Sequence, residues 1–377
     1  MSKHPMRDEQ RQLKKAKAKQ IEMKGESYNL RPILGNANWA IFYLLLGGRE
    51  IGKSYSVTNY LVDQYKNKGI PFTWLRLTEK QAQKLLTNNA EKLVDPDLRR
   101  KYNLDLRTSG NNVYEVKMED VEVKHRDGTI THERRITEKT LMARVYAIST
   151  FYNDKGSIFD KDFLNDLSMR YNIAIDEFQR EKGEKNTFDI MYCLVNQLEN
   201  LVRSTKDRIK IFFMGNTLEE ASDVLCSFNF IPEEWGVFKI KKKRAVIHNI
   251  PPTEKYLNRR AGTIADILMP NASTFTNKID TDKALITKKR LHSPNHIIKF
   301  SKNKEDWYTV WDSNVICKYK GEKKKNAIAM RPYLDEVFSP DMQKQIILLF
   351  DQRSFLFPNL ITFKQFQKEI ELLKPRK

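Results

Sequence analysis

Cysteine is scarce. Cys193, Cys226 and Cys317 are odd in number, far apart and free of any C-x-x-C spacing, which excludes a disulfide framework and gives no zinc signature. A reducing compartment is expected. Long apolar runs are also missing: no stretch approaches the ~18 residues of a membrane helix, and "MSKHPMRDEQRQLKKAKAKQIEMKG" lacks the apolar core of a signal peptide. The sequence therefore reads as soluble, with no membrane partner and no secretion. Acidic residues are in deficit, 48 against 67 lysines and arginines in 377 residues, for a formal charge of +19. That balance favours a polyanionic partner, nucleic acid first. The basic N-terminal extension, residues 1–30, has few aromatic residues to stack on bases and reads as a solvated, partly helical segment.

The chain is long enough for two or three domains. "WAIFYLLL" (39–46) is a continuous apolar run of strand length, as in a strand buried on both faces of a parallel sheet. "GGREIGKS" (Gly47–Ser54) follows at once and fits G-x-x-x-x-G-K-[ST], the phosphate-binding loop. Then Val57, Tyr60, Leu61 and Tyr65 recur at helical spacing until Gly69 and Pro71 end the helix. The strand–loop–helix setting is the one a phosphate loop needs, because backbone N–H groups and the helix dipole both face the anion. Gly47, Gly48, Arg49, Glu50, Ile51, Gly52, Lys53, Ser54 and Tyr55 are thus the expected nucleotide-contacting run, with Lys53 on the β/γ-phosphates of ATP and Ser54 on Mg²⁺.

Alternation continues with a strand at 72–77 and a helix from Thr78 to Val94, opened by a capping box between Thr78 and Gln81. Residues 113–149 alternate as β-structure around Asp127-Gly128, a hairpin signal, and read as an excursion from the core sheet. Strands at 171–175 and 209–214 flank a helical pattern of Phe188, Met191, Val195, Leu198 and Val202. The expected class is α/β: a phosphate-loop ATPase domain with a mostly parallel sheet over 31–250, a linker over 251–281, and a smaller α+β domain over 282–377 with two helices near 340–351 and 362–373.

"YNIAIDEFQREK" ends an apolar strand in Asp176-Glu177. Neighbouring carboxylates on a strand point differently, so Asp176 can hold Mg²⁺ through its water shell while Glu177 orients and deprotonates an attacking water. Asn216, just after "IKIFFMG", stands either as a polar sensor of the γ-phosphate or as a turn residue. Arg203, Lys206 and Arg208 lie between helix and strand, where a guanidinium can reach a neighbouring subunit's γ-phosphate. His125, His132, His292 and His296 have no metal-ligand spacing and read as surface or turn residues.

In order and spacing, "GGREIGKSYS", "IDEFQREK", the arginine-bearing step and "MGN" resemble the DNA-packaging ATPases of phi29-like tailed phages over roughly residues 40–220. The resemblance implies an additional-strand ATPase with a catalytic glutamate, related to terminases and to the FtsK/HerA translocases. It implies a homopentameric ring docked on the portal of an empty capsid in the host cytoplasm, driving double-stranded DNA inward. Lys53, Ser54 and Asp176 become ligands of Mg-ATP, Glu177 the general base, Arg203 the trans-acting finger and Asn216 the sensor, while Arg76 falls among basic residues that couple nucleotide to neighbour. The second domain becomes RNase H-like without nuclease carboxylates, docking on a capsid-associated structural RNA or on DNA. Asp312 ends a strand in "WYTVWD" with no set of carboxylates around it, and residues 282–325 mix basic and aromatic groups suited to phosphate contact.

Two departures stand out. The 113–149 segment is longer than the family's hairpin, and Glu50 occupies a position usually held by glycine. A carboxylate there is expected to meet a basic group on the next subunit, or to pair with Arg49. Two other readings remain open at this level: a cellular-type helicase of the same ATPase class, and a non-catalytic nucleic-acid-binding protein that only holds nucleotide.

Overall fold

Runs of apolar residues with β-branched and aromatic members bury both faces when they pair in parallel, and this chain supplies several. The computed structural model describes residues 28–48, 50–124, 130–151, 170–179, 190–202, 208–216, 222–232, 234–268, 283–292, 294–298, 306–320 and 340–374. Most of residues 1–30, together with Arg49, His125, Asp127-Gly128, Phe188, Arg203 and Lys206, lies outside the described residues.

Those residues fall into two compact units, 28–216 with 234–268, and 222–232 with 283–374. Residues 222–232 thus group with the C-terminal part, although the sequence placed them inside the ATPase span.

In the larger unit the strands are β1 (Phe42–Leu46), β2 (Phe72–Arg76), β3 (Leu106–Ser109), β4 (Asn112–Lys124), β5 (Ile130–Ala147), β6 (Tyr171–Asp176), β7 (Ile209–Gly215), β8 (Gly236–Ile240) and β9 (Ala245–Asn249). Among the described residues they form one nine-stranded sheet, in the order β3-β4-β5-β2-β6-β7-β1-β9-β8. Neighbours from β5 through β9 are parallel, and the two outer edges are antiparallel. The sheet is therefore mostly parallel, as the apolar runs indicated. β7 lies between β1, which leads into the phosphate loop, and β6, which ends in the acidic pair, so one extra strand separates the two motifs.

The 113–149 segment is not an excursion from this sheet. Ala143–Ala147 of β5 pairs with Phe72–Arg76 of β2, and Val113, Met142, Ala143, Val145 and Ala147 are buried. Only the far part leaves the core, where Lys117 meets Glu138 and Arg135 meets Glu133 in exposed ion pairs. Periodicity could identify the strands but not the register that makes β5 an interior strand.

The helix Lys53–Lys68 starts at Gly52 (φ +91°) and ends at Gly69, whose αL geometry lets its N–H donate to Tyr65 O. The next helix, Glu79–Ala90, has the expected Thr78/Gln81 capping box, but its helical geometry breaks at Thr87 and Asn88 and Asn89 are left-handed, short of the Val94 end read from sequence. No described helix is long and apolar enough to cross a membrane.

The smaller unit contains an antiparallel sheet of β10 (Pro294–Ile298), β11 (Asp306–Trp311) and β12 (Val315–Lys320), with helices Pro340–Asp351 and Leu360–Leu373 where the sequence expected two. Tyr308, Phe357, Phe366 and Ile370 centre its core, with the Tyr308 and Phe366 rings edge to face at 5.1 Å. Helix Asp223–Ser227 belongs to this unit, and Lys368 pairs with Asp223 at 3.0 Å.

Candidate functional site

β1, β6 and β7 run parallel and finish at the same edge, so the loops that follow them converge. Gly47 N donates to Gly215 O at 3.2 Å, fixing the start of the phosphate loop to the end of β7. A Cβ on Gly47 would lie 2.5 Å from Ile51 Cδ1, and one on Gly215 would lie 2.6 Å from the Phe178 ring. Close approach requires glycine at Gly215, where the buried Phe178 ring leaves no room, whereas at Gly47 the near atom is the tip of the Ile51 side chain.

A cavity of about 360 Å³ opens at this edge, lined by the Glu50–Tyr55 run, Asp176, Glu177, Met214, Gly215 and Asn216. The residues expected from two separate motifs and the sensor position therefore share one site.

Lys53 begins its helix and is buried, with Nζ donating to Gly47 O at 2.8 Å and Gly48 O at 2.6 Å. Its Nζ also stands 3.5 Å from Asn216 Oδ1, which ties the loop to the end of β7. Burial lowers the ammonium to about 8, with Asp176 and Glu177 opposing the shift.

Ser54 Oγ donates to Asp176 Oδ1 at 3.3 Å. A hydroxyl and a carboxylate side by side are hard oxygen donors of the kind Mg²⁺ takes together with waters and phosphate oxygens, so the residues fit a Mg-nucleotide. Asp176 is buried, and that burial raises its carboxyl, while Arg76 and Lys53 pull it back down.

Arg76 closes β2 and reaches both carboxylates. Its Nη2 is 2.9 Å from Asp176 Oδ2, and its Nη1 contacts Glu177 Oε2. The resemblance implied that Arg76 couples nucleotide to a neighbour; within its own chain it sits on the acidic pair. The order β2-β6 explains this, because the two strands are adjacent and end together.

Glu177 has φ +53°, a left-handed conformation uncommon for a residue with a side chain, and its N–H donates to Met214 O at 2.9 Å. Strain of this kind concentrates at functional positions. It leaves Asp176 buried while Glu177 is about half exposed at the cavity.

Glu50 also has positive φ, +64°. Its carboxylate lies 3.1 Å from Arg259 and 3.9 Å from Arg260, both on the helix Glu254–Arg260 of the same unit. The sequence reading missed this because 209 residues separate the partners and "NRRAG" carries no pattern that points back to the loop.

Arg208 precedes β7 by one residue, at the edge opposite the cavity, with roughly 25 Å of strand between it and Asn216. It does not belong to its own chain's site. Asp312, in the smaller unit, sits in the β11–β12 turn with φ +47° and accepts from His292 N at 3.2 Å. His132 lies 4.0 Å from Glu122.

No family model matches the chain, and no curated protein matches it in sequence. Solved structures do resemble it. "The Phi-28 gp11 DNA packaging Motor" aligns at 16% identity with a TM-score of 0.57, covering 94% of this chain and all of that one. "The bacteriophage Phi-29 viral genome packaging motor assembly" aligns at 16% identity with a TM-score of 0.58, covering 93% of this chain and 99% of that one. At this identity the likeness establishes architecture, and this chain has the fold of phage packaging-motor chains.

Proposed function

We propose that this protein is a Mg-ATP-hydrolysing motor that drives double-stranded viral DNA into a preformed capsid as a ring of identical subunits. The observation that carries the reading is the convergence of Lys53, Ser54, Asp176, Glu177 and Asn216 on one cavity at the end of a strand–loop–helix unit. A site for structure alone would not need two carboxylates, a buried lysine and a strained glutamate in one place.

The backbone N–H groups of Gly48–Ser54 cradle the phosphates and Lys53 leaves its carbonyl partners for the β/γ-phosphate oxygens. Bound Mg²⁺ supplies charge neutralisation for the γ-phosphate, held by Ser54 and Asp176. Glu177 takes the proton of a water in line with the γ-phosphate, and Asn216 orients that water or the phosphate. Arg76 contacts only Oε2 of Glu177, which leaves Oε1 to take the proton. Arg203 is the proposed trans finger, acting on a neighbour's nucleotide.

Basic residues gripping the DNA backbone make binding sequence-tolerant and salt-dependent. The portal of the capsid is the proposed docking partner, and the smaller unit the contact for a structural RNA or DNA. The test is ATP turnover per subunit against protein concentration, with and without double-stranded DNA. A rate that rises with both supports a DNA-coupled ring, and a rate indifferent to both removes the translocase reading.

A further inference from the structure

The edge of the sheet opposite the ATP cavity is crowded with positive charge. "KIKKKR" (239–244) carries five cations and no acid, Lys239 at the end of β8 and the other four in its connection to β9. Lys241–Lys243 form a tight 3-10 turn closed by Arg244 at φ +50°.

A two-strand connection of this kind is ordinarily made with Asn, Asp or Gly, which adopt positive φ at little cost and do not repel one another. Here the fold places a strained arginine beside three exposed lysines. Nothing in strand pairing requires that choice of residues.

The turn is rigidly mounted. Arg244 O accepts from Ile41 N at 2.8 Å and from Phe42 N at 3.1 Å, which joins it to the start of β1. Beside it, Trp39 is half-buried and lines a cavity of about 520 Å³ together with Lys239, Lys241 and Arg244. The adjoining Asn38 accepts from Lys210 at 3.0 Å, and the charges acting on that buried lysine, Arg170 and Lys68, are also positive. An indole and several cations around an open surface depression is an arrangement that can stack a base and hold its phosphates by charge.

We propose that Trp39, Lys239, Lys241 and Arg244, with Lys242 and Lys243 at the rim, form a nucleic-acid site separate from the ATP cavity. It takes an unpaired nucleotide of a strand, with the base on the Trp39 indole and the flanking phosphates on the cations. The ligand class is a single-stranded or looped nucleic acid, and the inference does not depend on ATP driving movement.

The experiment is fluorescence anisotropy of the full chain with three labelled probes of matched length: oligo(dT), an RNA hairpin with an unpaired loop, and a blunt DNA duplex, each across a salt series. Trp39→Ala should weaken oligo(dT) or the RNA loop about ten-fold and leave the duplex nearly unchanged. Lys241→Gln with Lys243→Gln should reduce the salt slope for the unpaired probes by roughly 0.7 per lost phosphate contact. Which probe loses more identifies the strand as DNA or RNA. Equal loss for duplex and unpaired probes in Trp39→Ala, or no loss for either, would overturn the proposal. Thermal melting checks each variant; if Trp39→Ala fails to fold, the exposed lysine pair decides, and an unchanged salt slope overturns the site.

Discussion

Replacing Arg76 with alanine removes the cation that two carboxylates share. Arg76 and Asp176 side chains are 15% and 8% exposed, so their 2.9 Å contact is shielded from water. At an effective dielectric of about 20 the attraction is roughly 6 kcal/mol before desolvation. Losing one member of such a pair leaves the other charge buried, which typically costs about 3–5 kcal/mol. The Glu177 arm contributes well under ~1 kcal/mol, since that side chain is 47% exposed and screened. Lys53 and Ser54 still face Asp176 and soften the loss, so about 3 kcal/mol is expected. Denaturant unfolding of Arg76→Ala, Asp176→Asn and the double variant forms a cycle, and the double variant should recover much of the loss. A cost below ~1 kcal/mol, or additivity within ~0.5 kcal/mol, would refute the buried-pair reasoning.

Other expectations concern charge and backbone. Lys53 titrates near 8, so its ammonium is present below that pH and lost above it. ADP affinity should therefore fall about ten-fold for each pH unit above the shifted value, and binding near pH 8 should take up a proton, seen by titration calorimetry in two buffers. Lys53→Met should abolish that uptake. Glu50→Gly removes an exposed ion pair worth about 0–1 kcal/mol and relieves a φ of +64°, so the melting midpoint should hardly move. His248 is buried against Tyr28, and burial lowers it to about 4 from its ordinary 6.5. Between those values the unfolded chain binds a proton that the folded chain does not, so stability should fall by about 3 kcal/mol as pH drops from 6.5 to 4, with no further loss from this group below. His248→Gln should flatten the decline measured by melting against pH.

The sequence carried the local elements well because each has a local cause. "WAIFYLLL" and "YNIAID" are apolar enough to be interior strands, and Thr78 with Gln81 forms its capping box from residues three apart. The phosphate loop is legible because backbone cradling requires glycine at fixed spacing, and Asp176-Glu177 because a strand end delivers two carboxylates to one edge.

What could not be read were consequences of long-range register. The pairing of β5 with β2 turned an expected excursion into sheet core, and the adjacency of β2 and β6 brought Arg76 onto Asp176 and Glu177. Arg259 beside Glu50 is a contact across 209 residues, beyond any periodicity. The basic turn was visible as charge, but its place beside Trp39 came only from the mounting of Arg244 on β1.

The central claim, that Glu177 activates water beside a nucleotide held by Lys53, is tested most directly by measuring ATP binding and ATP turnover together in wild type, Lys53→Ala and Glu177→Gln. Loss of binding in Lys53→Ala, with binding retained and turnover reduced by at least about a hundred-fold in Glu177→Gln, is the expected result. Turnover in Glu177→Gln equal to wild type would contradict it.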